Sequence, residues 1–295
     1  MEDSVIRGVI GNNAFRFFIA CSKDAVEKAR QIHDTTPTAT AALGRLLTAS
    51  AMMGAMLKNE SDLLTLIIKG DGPISQIVAT ADSHSRIKGY VGNAGVDLPL
   101  KDNGKLNISG AVGAGTITVV KDTGVKEPYS SQVPLVSGEI AEDLANYYTV
   151  SEQIPSAVGL GVLVGRDRAV RQAGGFIVQA LPFASDEALT KIEDNINAMA
   201  YITNLLDEGL SQEDILGLIA GDLGFTIHDR QEITYYCNCS KERFEKGLLS
   251  LGRAELDEIL ASDGQASLHC HFCGSEYLFS NSDLERILSL LPAGK

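Results

Sequence analysis

Four of the five cysteines occur as two close pairs in the C-terminal part of the chain, and this spacing limits what that part can fold into. One pair is a C-x-C motif and the other a C-x-x-C motif, with 30 residues between them. Zinc prefers four soft ligands arranged as a tetrahedron, and two loops that each supply two thiolates satisfy that preference. The sequence therefore predicts one zinc site, whose ligands are Cys237, Cys239, Cys270 and Cys273.

Local signals around the two pairs indicate a small folded module. Gly274 follows the second pair and permits a tight turn between two short strands predicted over Gln265–Leu268 and Tyr277–Phe279. Ser240 follows the first pair and is a predicted N-cap for a helix over Lys241–Leu249. The N–H groups at the start of that helix would help to offset the negative charge of four thiolates on one zinc ion.

The remaining candidate ligands and thiol have simpler interpretations. Because four thiolates close a structural zinc site, His269 and His271 are predicted to lie outside the ligand set. Cys21 ends an alternating apolar run with Phe15 and Phe17, which predicts a small buried hydrophobic side chain without a redox role.

Charge and hydropathy exclude several classes of function. The net charge is −13, distributed as −1 over residues 1–180, −9 over 181–236 and −3 over 237–295. No segment has the basic excess that phosphate neutralisation requires, so nucleic acid is not an expected partner.

The chain shows neither a secretory signal nor an apolar run of about 18 residues, which predicts a cytoplasmic protein without a membrane partner. Thiols stay reduced there, which favours metal binding or redox chemistry over structural disulfides.

Residues 1–180 are predicted to form a mixed α and β domain. Val5–Cys21 indicates a β-hairpin, and Thr36-Pro37 begins a long helix that ends near Lys58. Further strands and a helix follow in the predicted order Leu64–Ile68, Gln76–Ala81, Ile87–Val91, Thr116–Val120, helix Ser137–Tyr148, Val158–Val164 and Gly174–Ala180.

Enzymatic motifs are not evident in this domain. The glycine-rich run over 110–115 is followed by a predicted strand, whereas a dinucleotide cradle requires a helix there. No Ser/His/Asp set, carboxylate pair or phosphate loop stands out, so the sequence predicts no catalytic residue and no organic cofactor.

The acidic segment 181–236 has helical periodicity. Apolar residues at spacings of three and four predict one amphipathic helix over Ser185–Leu206. Ser211 begins a capping-box pattern, which predicts a second helix that runs to about Ile219 and ends at Gly221. One interpretation is an ordinary helical hairpin packed on the domain. The crowded negative charges repel one another, however, which favours a helical linker that is docked but only marginally stable.

Taken with three further sequence motifs, the cysteine pattern resembles the bacterial heat-shock protein 33 family of redox-regulated holdase chaperones over the whole chain. The motifs are C-x-C-S-K-E-R from Cys237 with C-H-F-C from Cys270, T-P-T-A-T-A-A-L-G-R from Thr36, G-D-G-P from Gly70, and S-E-Q-I-P-S from Ser151. The family's four zinc ligands match Cys237, Cys239, Cys270 and Cys273.

The resemblance implies an α+β protein in three parts. These are a chaperone core domain of stacked β-sheets with packed helices over 1–180, a metastable helical linker over 181–236, and a zinc-binding redox-switch domain over 237–295. It implies an ATP-independent chaperone that binds unfolding or oxidatively damaged client proteins, with one zinc ion in the reduced state. Oxidation would pair Cys237 with Cys239 and Cys270 with Cys273, release the zinc and favour a homodimer.

Two other classes of function remain open from the residues. A zinc ribbon with a purely structural metal would bind a macromolecular partner, although the acidic balance disfavours nucleic acid. A thiol–disulfide oxidoreductase would use the C-x-x-C motif, but that motif does not lie between a strand and a long helix, and the C-x-C pair would be unexplained.

Overall fold

The structure is a computed structural model that describes residues 2–124 and 127–291. It divides into two units, Met1–Tyr236 and Cys237–Lys295. The mixed α+β architecture predicted from the sequence is confirmed. None of the helices in the described ranges has the length and hydropathy needed to cross a lipid bilayer.

The strands of the first unit form two sheets. They are β1 Ser4–Ile10, β2 Phe15–Cys21, β3 Leu63–Gly70, β4 Gln76–Asp82, β5 Arg86–Val91, β6 Gly115–Asp122, β7 Tyr129–Pro134, β8 Ser156–Val164, β9 Val170–Ala180, β10 Phe225–Glu232 and β11 Thr234–Tyr235. Sheet A has the order β10-β1-β2-β9-β8 and is antiparallel throughout. Sheet B has the order β11-β5-β4-β3-β6-β7, with β11 parallel to β5.

Helices cover both faces of sheet A. The helices of the first unit are α1 Lys23–His33, α2 Pro37–Gly54, α3 Ile108–Val112, α4 Ile140–Tyr147, α5 Asp186–Ala198, α6 Ile202–Asp207 and α7 Gln212–Ala220. A π-helical turn, Tyr148–Glu152, follows α4, and a 3-10 turn, Gly221–Leu223, follows α7.

Helix α2 lies between the two sheets and is the centre of the larger core. It packs on β3, β4 and β5 from sheet B and on β2, β8 and β9 from sheet A. Thr36 caps its N-terminus and Pro37 occupies the first turn, which confirms the predicted start. The helix ends at Gly54, one turn before the predicted end. A side chain at Gly44 would collide with Val26 and Val162, so glycine allows this close packing.

The acidic segment packs on the other face of sheet A, where it forms a second core. Its buried apolar side chains meet those of β1, β2 and β9, and the members from α5 to α7 are Ala188, Ile192, Ile202, Leu205, Leu206, Ile215, Leu216, Ile219 and Ala220. The capping box predicted at Ser211 is confirmed, as is the end of α7 at Gly221. The segment therefore belongs to the first unit in this conformation. The division into a core domain over 1–180 and a linker over 181–236 remains a prediction.

The single helix predicted over Ser185–Leu206 is wrong, because the backbone leaves the helical region at Met199, where ψ is 141°. The break turns α6 onto β8 and β9, whereas α5 packs against α7. Periodicity marked the apolar face on both sides of the break but carried no signal for the change of direction.

Strands β10 and β11 in the same segment were not predicted. Strand β10 is mostly polar and pairs with β1, and Arg7 forms an ion pair with Asp229 across this pairing at 2.9 Å. A polar edge strand lacks the apolar alternation by which half-buried strands are recognised.

Candidate metal centre

The second unit is a small module with little core of its own. It contains α8 Lys241–Leu251, α9 Arg253–Ser262, β12 Ala266–His269, β13 Glu276–Phe279 and α10 Asn281–Ser289, with β12 antiparallel to β13. The predicted strands and the predicted helix after Ser240 are confirmed. Its buried apolar residues are Leu248, Leu256, Phe279, Leu284, Ile287 and Leu288.

The structure brings all four predicted cysteines of this module together. Their Sγ atoms lie within 4.8 Å of one another, with Cys237 3.7 Å from Cys270 and Cys239 3.3 Å from Cys273. Four sulfurs at about 2.3 Å from a central zinc ion would be separated by about 3.8 Å, which is close to this arrangement. The donor set and its spacing therefore fit a tetrahedral zinc ion.

The turn between β12 and β13 positions the second pair. The backbone N–H of Cys270 donates to the carbonyl of Ser275 at 2.9 Å, and the N–H of Gly274 donates to the carbonyl of Cys270 at 2.8 Å. Gly274 has φ +70°, a left-handed conformation that glycine adopts without steric cost. The sequence forms this turn locally, so both sulfurs of the pair point to one place.

Helix α8 positions the first pair. The side chain of Ser240 accepts a hydrogen bond from the N–H of Arg243 and so caps the helix, which begins at Lys241, two residues after Cys239. Lys241 and Glu245 on this helix form ion pairs with Asp283 and Arg286 on α10 at 2.9 and 2.6 Å. These contacts attach the start of α8, and with it the first loop, to the rest of the module.

Electrostatics differ among the thiols. Burial raises the pKa of Cys237 to about 12, and burial also raises the pKa of Cys270. Burial acts in the same direction on Cys273, but hydrogen bonds from the hydroxyl and N–H of Ser275 outweigh it and lower the pKa of that thiol to about 7. A metal that binds all four thiolates must displace the protons of the buried thiols, so its affinity should fall as the pH falls.

Tyr277 is a neighbour of the site that the sequence reasoning missed. Its hydroxyl oxygen lies 3.1 Å from the Sγ of Cys239, and its ring packs on Phe244 with the centroids 4.9 Å apart. The signal available in the sequence was its position on a strand just after the C-x-x-C turn, where alternate side chains face the module core.

The two neighbouring histidines and Cys21 are not members of the sulfur cluster. Among the described residues, the group with metal-binding geometry consists of the four cysteines, without His269 or His271. The His269 ring faces Glu276 at 3.8 Å and is largely exposed. Cys21 is buried in the second core of the first unit, where burial raises its pKa to about 12.

Comparisons with known proteins agree over nearly the whole chain. The family model described as Hsp33 protein matches residues 3–280. The 33 kDa chaperonin of Clostridioides difficile is 49% identical over 289 residues, which cover 98% of this chain and 99% of that protein. That of Lachnoclostridium phytofermentans is 47% identical over 289 residues, with the same coverage. A crystal structure of the 33 kDa chaperonin (heat shock protein 33 homologue) of Thermotoga maritima matches with a TM-score of 0.91 at 39% identity and covers 98% of each chain.

Proposed function

Because the chain belongs to the Hsp33 family of chaperones, we propose that it is a redox-regulated, ATP-independent holdase that binds unfolding proteins in the cytoplasm under oxidative stress. The family is one of chaperones and not of enzymes. The observation that carries the proposed regulation is the cluster of four cysteine sulfurs within 4.8 Å in a module with a small core.

Cys237, Cys239, Cys270 and Cys273 are the proposed ligands of one zinc ion. When bound, zinc would hold the four sulfurs as thiolates and join the two loops of the module. Structural zinc contributes about 10–16 kcal/mol near neutral pH, whereas a core in a domain of fewer than about 70–80 residues rarely contributes more than about 3–5 kcal/mol. The module has about 60 residues, so its fold should depend on the metal.

Oxidation removes the ligands. A thiolate attacks one oxygen of hydrogen peroxide, the O–O bond breaks, and a sulfenic acid and hydroxide form. The neighbouring thiolate then attacks the sulfenic sulfur, which gives a disulfide and releases a second hydroxide. Following the pairs implied by the family, we infer that Cys237 joins Cys239 and Cys270 joins Cys273. Disulfide sulfurs carry no negative charge, so the zinc would leave and the module would unfold.

The acidic linker segment 181–236 is the proposed responder. The chain runs directly from this segment into Cys237, so unfolding of the module frees the C-terminal end of the segment, which then stays on the first unit only through the pairing of β10 with β1 and of β11 with β5. Undocking of α5–α7 from sheet A would expose apolar side chains such as Ile192, Leu205 and Ile215, together with the sheet face that they cover. These surfaces are the proposed binding sites for unfolding clients, and two exposed copies would favour a homodimer.

Light scattering of a heat-unfolded client protein tests this function. Peroxide-treated protein should suppress the scattering, and reduced, zinc-loaded protein should not. Equal suppression by both forms, or by neither, would refute the switch. Zinc and free thiols are counted in the same samples, and the proposal requires one zinc ion lost with four thiols.

Cys270→Ser should separate the effect of losing a zinc ligand from the effect of oxidising the thiols. It removes one ligand without oxidation, so it should lower zinc retention and increase proteolysis within 181–236 before any peroxide is added. Ser250→Ala is the control, because Ser250 is exposed on α8 of the same module and lies outside the sulfur cluster. Zinc content and proteolytic resistance of Cys270→Ser equal to those of the control would contradict the proposed ligand set.

A further inference from the structure

Hydroxyl groups contact one sulfur of each cysteine pair. The Tyr277 hydroxyl lies 3.1 Å from the Sγ of Cys239, and the Ser275 hydroxyl lies 3.2 Å from the Sγ of Cys273. Zinc-bound sulfurs are thiolates, so in the loaded site each hydroxyl would act as the donor. Groups that hydrogen-bond to metal ligands also tune the site, and their loss typically costs about 10–100-fold in metal affinity or activity.

In the Cys237–Cys239 pair, the effect of a hydroxyl hydrogen bond can be separated from the effect of sulfur burial. Cys237 and Cys239 are both half-buried, so exposure does not distinguish them. The sulfur of Cys237 interacts with the other three thiols and the N–H of Cys239, whereas the sulfur of Cys239 also meets the Tyr277 hydroxyl. In the second pair, Cys270 is buried and Cys273 is half-buried, so exposure and hydrogen bonding are mixed.

The Tyr277 ring is held in place for this contact. It lies on β13 opposite Leu268 of β12 and packs on Phe244 of α8. Both neighbours belong to the apolar cluster of the module. Strand pairing and ring packing therefore fix the position of the Tyr277 hydroxyl.

We propose that Tyr277 is a positioning residue that lowers the reactivity of the Cys239 sulfur and so makes Cys237 the sulfur of that pair which peroxide attacks first. This inference rests on the proposed redox function. A hydrogen bond withdraws electron density from the thiolate and must be weakened as the sulfur attacks the O–O bond. Cys237 would become the sulfenic acid and release hydroxide, and the Cys239 thiolate would then attack it, form the disulfide and release a second hydroxide.

Tyr277→Phe removes the hydroxyl and keeps the ring on Phe244. Since hydrogen bonds to charged groups are among the stronger ones and thiolate reactivity follows basicity with a slope of about 0.4–0.5, peroxide should oxidise Cys239 about three- to tenfold faster than in the wild type. Zinc release should rise by a smaller factor, because Cys237 still reacts at its own rate. Tyr129→Phe is the matched control, because Tyr129 is an exposed tyrosine on β7 of the first unit.

The position of the first oxidation distinguishes this role from a structural one. Dimedone added during the first seconds of oxidation traps sulfenic acids, and mass spectrometry then gives the ratio of adducts on Cys237 and Cys239. In the wild-type chain the adduct should be mainly on Cys237, and in Tyr277→Phe it should shift toward Cys239. A loosened module would react faster at both sulfurs without this shift, and that result would overturn the inference.

A second replacement keeps the inference testable if Tyr277→Phe does not fold. 3-Fluorotyrosine at position 277 keeps the ring and hydroxyl and donates a stronger hydrogen bond, so the share of the dimedone adduct on Cys239 should fall below that in the wild type. An unchanged share in this variant would overturn the role of Tyr277 alone. A wild-type chain that loses no zinc to peroxide would overturn the proposed function itself.

Discussion

Gln212 makes the sharpest test of how the acidic linker segment is held on sheet A. It is the first residue of α7, fully buried, and its side-chain oxygen accepts hydrogen bonds from Ser4 Oγ at 3.0 Å and Arg230 Nη1 at 2.8 Å. Its Nε2 donates to the carbonyls of Ser4 at 2.8 Å and Ile19 at 2.9 Å. The side chain therefore joins the linker to the backbone of β1 and β2.

Gln212→Leu has nearly the same volume and makes none of these bonds. Three neutral bonds at about 0.5–1.5 kcal/mol each and one charged bond at about 1.5–3 kcal/mol are lost. Burial of the leucine side chain returns about 1.5–3 kcal/mol of the roughly 3–7.5 kcal/mol lost, so docking should weaken by about 1.5–4.5 kcal/mol. At 1.4 kcal/mol for each factor of ten, the undocked population should rise about ten- to 1,600-fold.

Hydrogen exchange of the reduced, zinc-loaded protein measures this change. Amides of α5–α7 should lose protection, whereas those of β3, β4 and β6 in sheet B should keep theirs. Gln132→Leu is the matched control, since Gln132 is exposed on β7 and bonds to Thr116 and Thr118 hydroxyls. Unchanged protection of α5–α7 would refute the reasoning, and an equal loss over both sheets would show that the linker does not open separately.

Three further predictions concern single residues. Gly274→Ala places a Cβ at φ +70°, which costs about 1–2 kcal/mol and should lower zinc affinity about five- to thirtyfold in a chelator competition, whereas Gly247→Ala in α8 should not. Burial raises the pKa of the Asp3 carboxyl to about 6, so at neutral pH its charge opposes folding. Asp3→Asn should therefore stabilise the first unit against urea by up to about 3 kcal/mol at neutral pH, with the advantage falling as the pH drops through about 6 toward 4; a pH-independent difference would contradict this. Cys21, buried with its pKa raised to about 12, should stay unoxidised in native protein after peroxide treatment, and a modified Cys21 peptide would disprove that.

Short-range signals carried most of the successful sequence predictions. The β1–β2 hairpin, the start of α2 at Pro37 and the capping box at Ser211 each depend on residues within a few positions of one another. The clustering of the four cysteine sulfurs was predictable for a related reason, because each cysteine pair is local and a tetrahedral arrangement leaves few ways to combine two pairs.

Contacts between distant residues were not predictable in the same way. The break at Met199 follows from packing α6 on β8 and β9, and polar β10 is a strand because β1 offers it a pairing edge. In the sequence, Gln212 has no feature that distinguishes it from an ordinary helix residue. The structure buries it and surrounds it with its hydrogen-bond partners Ser4, Ile19 and Arg230.

The sequence by itself determined the four candidate ligands, the local turns and caps that hold them, and the acidic character of the segment before them. Only the tertiary structure decided that this segment covers one face of sheet A, that Gln212 ties it there, and that the Tyr277 hydroxyl reaches Cys239. The physical reason is that a ligand motif and a cap are encoded in neighbouring residues. The partner of a buried amide or a hydroxyl is chosen by packing between residues up to about 200 positions apart.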